Sequence, residues 1–279
     1  MIPLRALKAM FFFPPIQALV ALFWIATFMA VAEALARQFF NSDSLWVTFA
    51  LAPGALLGYY TFVRVIERRT APELASAGAP KELLAGLLLA AMLMSLVVGI
   101  MQVAGAYSAD GVNRPGIVMP ALVGAIMAGT TEELLIRAAA FRILERWLGS
   151  WLALALTAGL FGATHLPNPN ASALSTLVIV VGGGVMLCAA WMITRRIWFV
   201  LGIHVAWNFF QGGVFGVATS GVTVPGLING ALHGPTYVSG GAFGPEGSVV
   251  TLVICAGAAT AMLANASHKG HFIAMQRRL

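Results

Sequence analysis

Residues 83–107, LLAGLLLAAMLMSLVVGIMQVAGAY, hold no charged side chain, and a run of about 20 apolar residues is what a helix needs to cross the hydrocarbon core of a bilayer. Comparable runs occupy 14–36, 45–63, 117–140, 151–166, 172–194, 197–216 and 248–266. The fifth is short and the fourth carries charge. The pattern predicts an all-α, polytopic membrane protein with about eight transmembrane helices. Composition agrees: 59% of the 279 residues are hydrophobic and 9% charged, against about 45–50% and about 25% in soluble proteins. One membrane domain spanning 1–279 is expected, with no internal repeat.

The basic residues set an orientation. Taking alternate connections, Arg5, Lys8, Arg64, Arg68, Arg69, Lys81, Arg142, Arg146, Arg195, Arg196, Lys269, Arg277 and Arg278 fall on one side, and Arg37 and Arg114 on the other. Positive loops stay in the cytoplasm, so both termini are expected to be cytoplasmic, as an even number of spans requires. The first apolar run is too long for the core of a signal peptide, which favours a retained helix. Residues 64–82 read as a cytoplasmic amphipathic segment. Residues 217–247, rich in Gly and free of Lys and Arg, read as an extracytoplasmic loop.

The net charge of +6 is explained by topology, since the cations form no basic face; no nucleic-acid partner is expected. Cys188 and Cys255 lie in apolar segments and read as packing residues. His233 reads as a loop residue, and His268 and His271 as solvated tail residues.

Chemistry concentrates where lipid makes polar groups costly. In the fourth span, Glu133 and Arg137 are four residues apart and share a helix face, so they can pair. Glu132 points about 100° away and has no local partner, which suits a general base or acid. In the fifth span Phe161 and His165 share a face, and in the seventh His204 and Asn208 do so. An imidazole and a carboxamide are suited to holding a developing oxyanion. A carboxylate with two histidines is also a catalytic zinc arrangement, and sequence alone does not separate the two readings. The His-Glu-x-x-His helix, a phosphate loop and a Gly-x-Ser-x-Gly turn are absent from the sequence.

Glu132-Glu133-x-x-x-Arg137, Phe161-x-x-x-His165 and His204-x-x-x-Asn208 resemble the three ordered motifs of the CAAX prenyl endopeptidase and bacteriocin-processing family of intramembrane proteases. The resemblance covers 132–208 and implies that Glu132 and His165 activate water, that His204 and Asn208 stabilise the oxyanion, and that Glu133 and Arg137 support the site. It leans toward a metal-free mechanism; a metal-dependent one would use Glu132, His165 and His204 on zinc. The stretch Gly240 to Gly247 also resembles a segment of many bacterial members.

The expected activity is endopeptidase cleavage, near the cytoplasmic face and in a cavity open to the cytoplasm, of a membrane-associated peptide or protein tail. A multi-pass protein of a bacterial inner membrane is expected, with the lipid bilayer as its other partner. Two rivals stand beside it: a non-catalytic peptide-binding or immunity-type protein of the same fold, and a transporter with a buried carboxylate relay.

Overall fold

The computed structural model describes residues 13–275; the charged ends that hold Arg5, Lys8, Arg277 and Arg278 lie outside them. Among the described residues, seven helices are long and apolar enough to cross a membrane: α1 Pro14–Phe39, α2 Leu45–Ile66, α3 Ala79–Val103, α4 Pro115–Thr164, α5 Ala173–Thr194, α6 Ile197–Val214 and α7 Val249–His268. The chain is therefore a multi-pass, all-α membrane protein. Local sequence sets the helix starts. Pro14 opens α1, where its missing N–H would have no partner anyway. Ser44, Ser172 and Ser248 cap α2, α5 and α7 by accepting backbone N–H groups.

The fourth and fifth apolar runs remain two helical segments, as expected, and meet at a break inside α4. Gly149 breaks α4 with φ 74° and ψ 168°, a conformation open essentially to glycine. A Cβ there would stand 2.7 Å from the Met275 nitrogen. The second arm, 150–164, rises roughly 22 Å, short of a bilayer core of about 30 Å. Ser150 holds the break to the chain's tail: its N–H donates to the Ile273 carbonyl at 2.9 Å, and its Oγ accepts from the Ile273 N–H at 2.8 Å.

One end of the bundle gathers the basic residues. Glu67 accepts from Gln17 at 3.1 Å, Arg69 at 2.8 Å, Arg142 at 2.8 Å and Arg146 at 3.2 Å, which ties α1, the end of α2 and α4 together. Glu73 pairs with Arg69 and accepts from Tyr59, while Glu145 pairs with Arg195. Burial alone would raise the Glu67 carboxyl; Arg142, with Arg69 and Arg146, outweighs it and holds the group below the usual carboxylate range. Burial likewise opposes ionisation of Glu73, and hydrogen bonds from Arg69 and Tyr59 overcome it.

Two expectations fail at this end. Residues 64–82 form no amphipathic helix lying on a membrane: apart from the last turn of α2 and the start of α3 they are irregular, with one 3₁₀ turn at Pro72–Leu74. The side chains of Glu67 and Glu73 are turned inward, Glu67 toward Arg142 and Arg146 of α4 and Glu73 toward Arg69 of its own segment and Tyr59 of α2. His271 is no solvated tail residue either, since its Nδ1–H donates to the Met192 carbonyl at 2.7 Å.

At the opposite end, β1 Tyr107–Val112 and β2 Ile228–Leu232 pair antiparallel, with Tyr107 facing Leu232. His233 follows β2, its ring nitrogen 2.8 Å from Ser108 Oγ. Residues 217–247 fold over this end in tight turns. Between the two ends runs a packed apolar core that includes Leu134, Ala138, Phe141, Leu187, Trp191 and Met192, all buried.

Candidate active site

The site lies where α4, α5 and α6 each depart from α-helical winding. Glu133–Phe141, Val180–Met186 and Phe209–Val214 adopt wider π-type turns, which occur often at functional sites. The turn in α4 begins at Glu133, so the two adjacent glutamates reach opposite nitrogens of one imidazole. His204 Nδ1 is 2.6 Å from Glu133 Oε1, and His204 Nε2 is 3.7 Å from Glu132 Oε2.

Glu133 and Arg137 form the expected i,i+4 pair, 2.8 Å apart, with both side chains at 0% exposure. Such a pair has to be answered by further contacts to offset its desolvation. Arg137 lies 4.7 Å from the centre of the Phe161 ring, a cation–π contact, and donates to the Gly184 carbonyl at 3.4 Å. Glu133 accepts a hydrogen bond from His204: a carboxylate held by an arginine can only accept, so Nδ1 carries the hydrogen and Nε2 faces Glu132.

Phe161 also stacks on His165, with ring centres 4.7 Å apart, as their shared helix face predicts. His165 Nδ1 is 2.8 Å from the Phe161 carbonyl oxygen. That oxygen can only accept, so Nδ1–H donates and Nε2 keeps its lone pair. Glu132 is the exposed member of the glutamate pair, with 33% of its side chain accessible and Oε2 without a hydrogen-bond partner.

A cavity of about 290 Å³ brings these groups together. Glu132, His165, His204 and Asn208 all line it. Along α4, Pro120, Ala121, Gly124, Ala125 and Ala128 form a wall of small side chains, which leaves room over a rise of roughly 12 Å. On the other side stand Thr219, Ser220, Val222 and Val224 of the loop after α6. Asn168, just past His165, fastens this loop by donating to the Ser220 carbonyl at 3.0 Å.

The direction of the cavity corrects an expectation. It runs from Glu132 and His204 toward residues 217–247, away from the basic end, and so it does not open toward the side that the charge distribution assigns to the cytoplasm. On the basic side the buried Glu133–Arg137 pair and the packed Leu134, Ala138 and Phe141 close the way. Distance along a helix to its nearer end does not measure access when that end is sealed by packing.

Among the described residues no three His, Cys, Asp or Glu side chains are placed to hold a metal ion. Glu132, His165 and His204 all line one cavity.

One wall residue was not anticipated. Glu246 is 5% exposed and lines the cavity. Its Oε1 accepts from Trp207 Nε1 at 2.9 Å, and its Oε2 from both the N–H and the hydroxyl of Ser220 at 2.8 Å. The turn beneath it depends on Gly244, where φ is 99° and a Cβ would run into the Ala218 carbonyl oxygen. The sequence held a signal for it: Glu246 is the sole acid between residues 217 and 247, set one turn before an apolar span.

Fold and cavity thus define a multi-pass membrane protein with a carboxylate–imidazole centre buried among its helices. Residues 114–210, which supply every one of those motif side chains, match the family model described as Rce1-like, type II CAAX prenyl endopeptidase Rce1-like. The match covers the same segment as the motif resemblance and agrees with it. No curated protein and no solved structure matches.

Proposed function

We propose that the chain is an intramembrane endopeptidase that hydrolyses a peptide bond of a membrane-associated peptide or protein tail with water activated by Glu132 and His165. The observation that carries this reading is the carboxylate of Glu132, partly accessible and with Oε2 unpartnered, in a cavity that His165, His204 and Asn208 also line. An accessible carboxylate in a water-poor setting is suited to moving a proton.

In this scheme Glu132 takes a proton from water, and the resulting hydroxide attacks the scissile carbonyl carbon. The lone pair of His165 Nε2 orients that water. Asn208 Nδ2–H and a protonated His204 Nε2 hold the negative charge that develops on the carbonyl oxygen. Glu132 returns its proton to the leaving nitrogen as the C–N bond breaks. Glu133 and Arg137 touch no reacting atom; they fix the His204 ring. No step of this scheme passes through a metal.

The cavity reaches the face that bears residues 217–247, and the charge distribution puts that face outside the cytoplasm. The substrate chain therefore approaches from that side, in a multi-pass protein of a cell inner membrane. Purified protein incubated with a quenched peptide library tests the reading. Cleavage by the wild type that disappears in both Glu132→Ala and His165→Ala supports it. Peptide binding without cleavage supports a non-catalytic relative, and ion-coupled uptake into vesicles without cleavage supports a transporter; either result overturns it.

A further inference from the structure

The resemblance gave the Gly240 to Gly247 segment no chemistry, and the scheme above does not use Glu246. This carboxylate sits on the wall of the reaction cavity with most of its surface removed from water. A buried carboxylate is costly unless it is paired or fully hydrogen-bonded. Three donors from Trp207 and Ser220 keep it in place, yet among the described residues no Lys or Arg pairs with it, and none lines the cavity. A carboxylate offers about four acceptor positions; Oε1 uses one, so it retains another.

Its neighbours lack donors too. Thr219 Oγ1, on the same wall, has no hydrogen-bond partner, and neither has Oε1 of the fully buried Gln211 beside the Gly244 turn. Glu246 thus shares its wall with an unpartnered hydroxyl and with no cation. Trp207, which holds Glu246, lies one turn beyond His204 and next to Asn208 on α6. The rise from His204 to Trp207 is roughly 4.5 Å, about the reach of one or two residues of extended chain.

We propose that Glu246 determines specificity by binding a cationic group of the substrate, a Lys or Arg side chain or a free N-terminal ammonium, within a few residues of the scissile bond. The proposal rests on the cavity being the place where the peptide lies. It deepens the protease reading by naming the substrate as a peptide with positive charge near the cut.

The test measures binding, so it can succeed or fail independently of hydrolysis. Three fluorescent peptides of one apolar sequence are titrated into the full-length Glu132→Gln protein in an uncharged detergent. The first is N-acetylated with a central Lys, the second is N-acetylated with norleucine in that place, and the third has norleucine and a free N-terminus. The expected result is at least tenfold tighter binding of one or both cationic peptides than of the neutral one; which of them binds tightly tells side chain from terminus. Adding Glu246→Gln is expected to bring that ratio down to about one, whereas adding Ser220→Ala, which keeps the charge, preserves it. A role in structure alone would weaken all three peptides together and leave the ratio unchanged in Glu246→Gln. That outcome overturns the proposal. Equal binding of the three peptides by the Glu246-containing protein, or binding of none, overturns it without reference to any variant at Glu246.

Discussion

The two ends of the bundle treat buried acids in opposite ways. At the basic end, Glu67, Glu73 and Glu145 are each met by arginine, and the side chains around them are packed shut. At the other end Glu132 and Glu246 look into a cavity and meet no Lys or Arg among the described residues. An acid whose charge is answered within the protein fastens helices to one another. An acid left unanswered keeps its charge for a group that arrives from outside. Glu133 stands between the two cases, answered by Arg137 and yet in contact with the His204 imidazole.

The contrast can be broken or sharpened by substitution, and the largest effect is expected at the cavity. Glu132→Gln should reduce peptide cleavage by about 10²–10⁴-fold and leave thermal unfolding in detergent close to wild type. A variant that cleaves normally would remove the reactive carboxylate from the comparison. Next in size, Arg137→Leu strands the Glu133 charge in a site with no exposure and should cost about 3–5 kcal/mol of stability, read as a lowered Tm. The double variant Glu133→Leu with Arg137→Leu should recover much of that loss while remaining inactive, because His204 has lost the partner of Nδ1.

Smaller effects separate the ends further. Gly244→Ala should destabilise by about 1–3 kcal/mol through backbone strain and shift the fluorescence of Trp207 as Glu246 moves; an unchanged spectrum with normal stability would show that the turn does not hold the acid. The smallest effect concerns pH. Glu67 and Glu73 have carboxyl groups lowered by their partners, so their contribution is complete above the unfolded carboxylate range and is lost as pH falls through the lowered folded values. Tm should fall on acidification below about pH 4.5, and less steeply in Glu67→Gln. A Glu67→Gln profile parallel to wild type would show that this node does not carry the acid sensitivity.

Much of this architecture was legible in the sequence. Apolar runs announce spanning helices because lipid leaves few other options for backbone polar groups. The pairs Glu133–Arg137 and Phe161–His165 follow from helical spacing, and both are found in contact. Less legible was anything that depends on what packs against what. Gly149 looks like any other glycine until its φ is known, and with it the point where the fourth apolar run hands over to the fifth. Glu67 and Glu73 sit in a segment with the composition of a solvated surface, but Arg142 and Arg146, distant in sequence, draw Glu67 inward, and Tyr59 meets Glu73 from α2. The direction of the cavity depends on which end of α4 is covered by Phe141 and Trp191 and which by small residues, and no local pattern states that. Glu246 was passed over because a lone acid in a glycine-rich loop resembles a turn residue, and its significance comes from Trp207 and Ser220.

The sealed floor beneath Arg137 bears on the membrane itself. Glu132, His204 and Glu133 are titratable groups in series, and such a series continued from face to face would pass protons and discharge the gradient that the cell maintains. Here the series stops at a guanidinium that does not give up its proton, backed by the hydrocarbon of Leu134, Ala138 and Phe141. The acid–base chemistry proposed for Glu132 would thus leave the insulation of the bilayer intact.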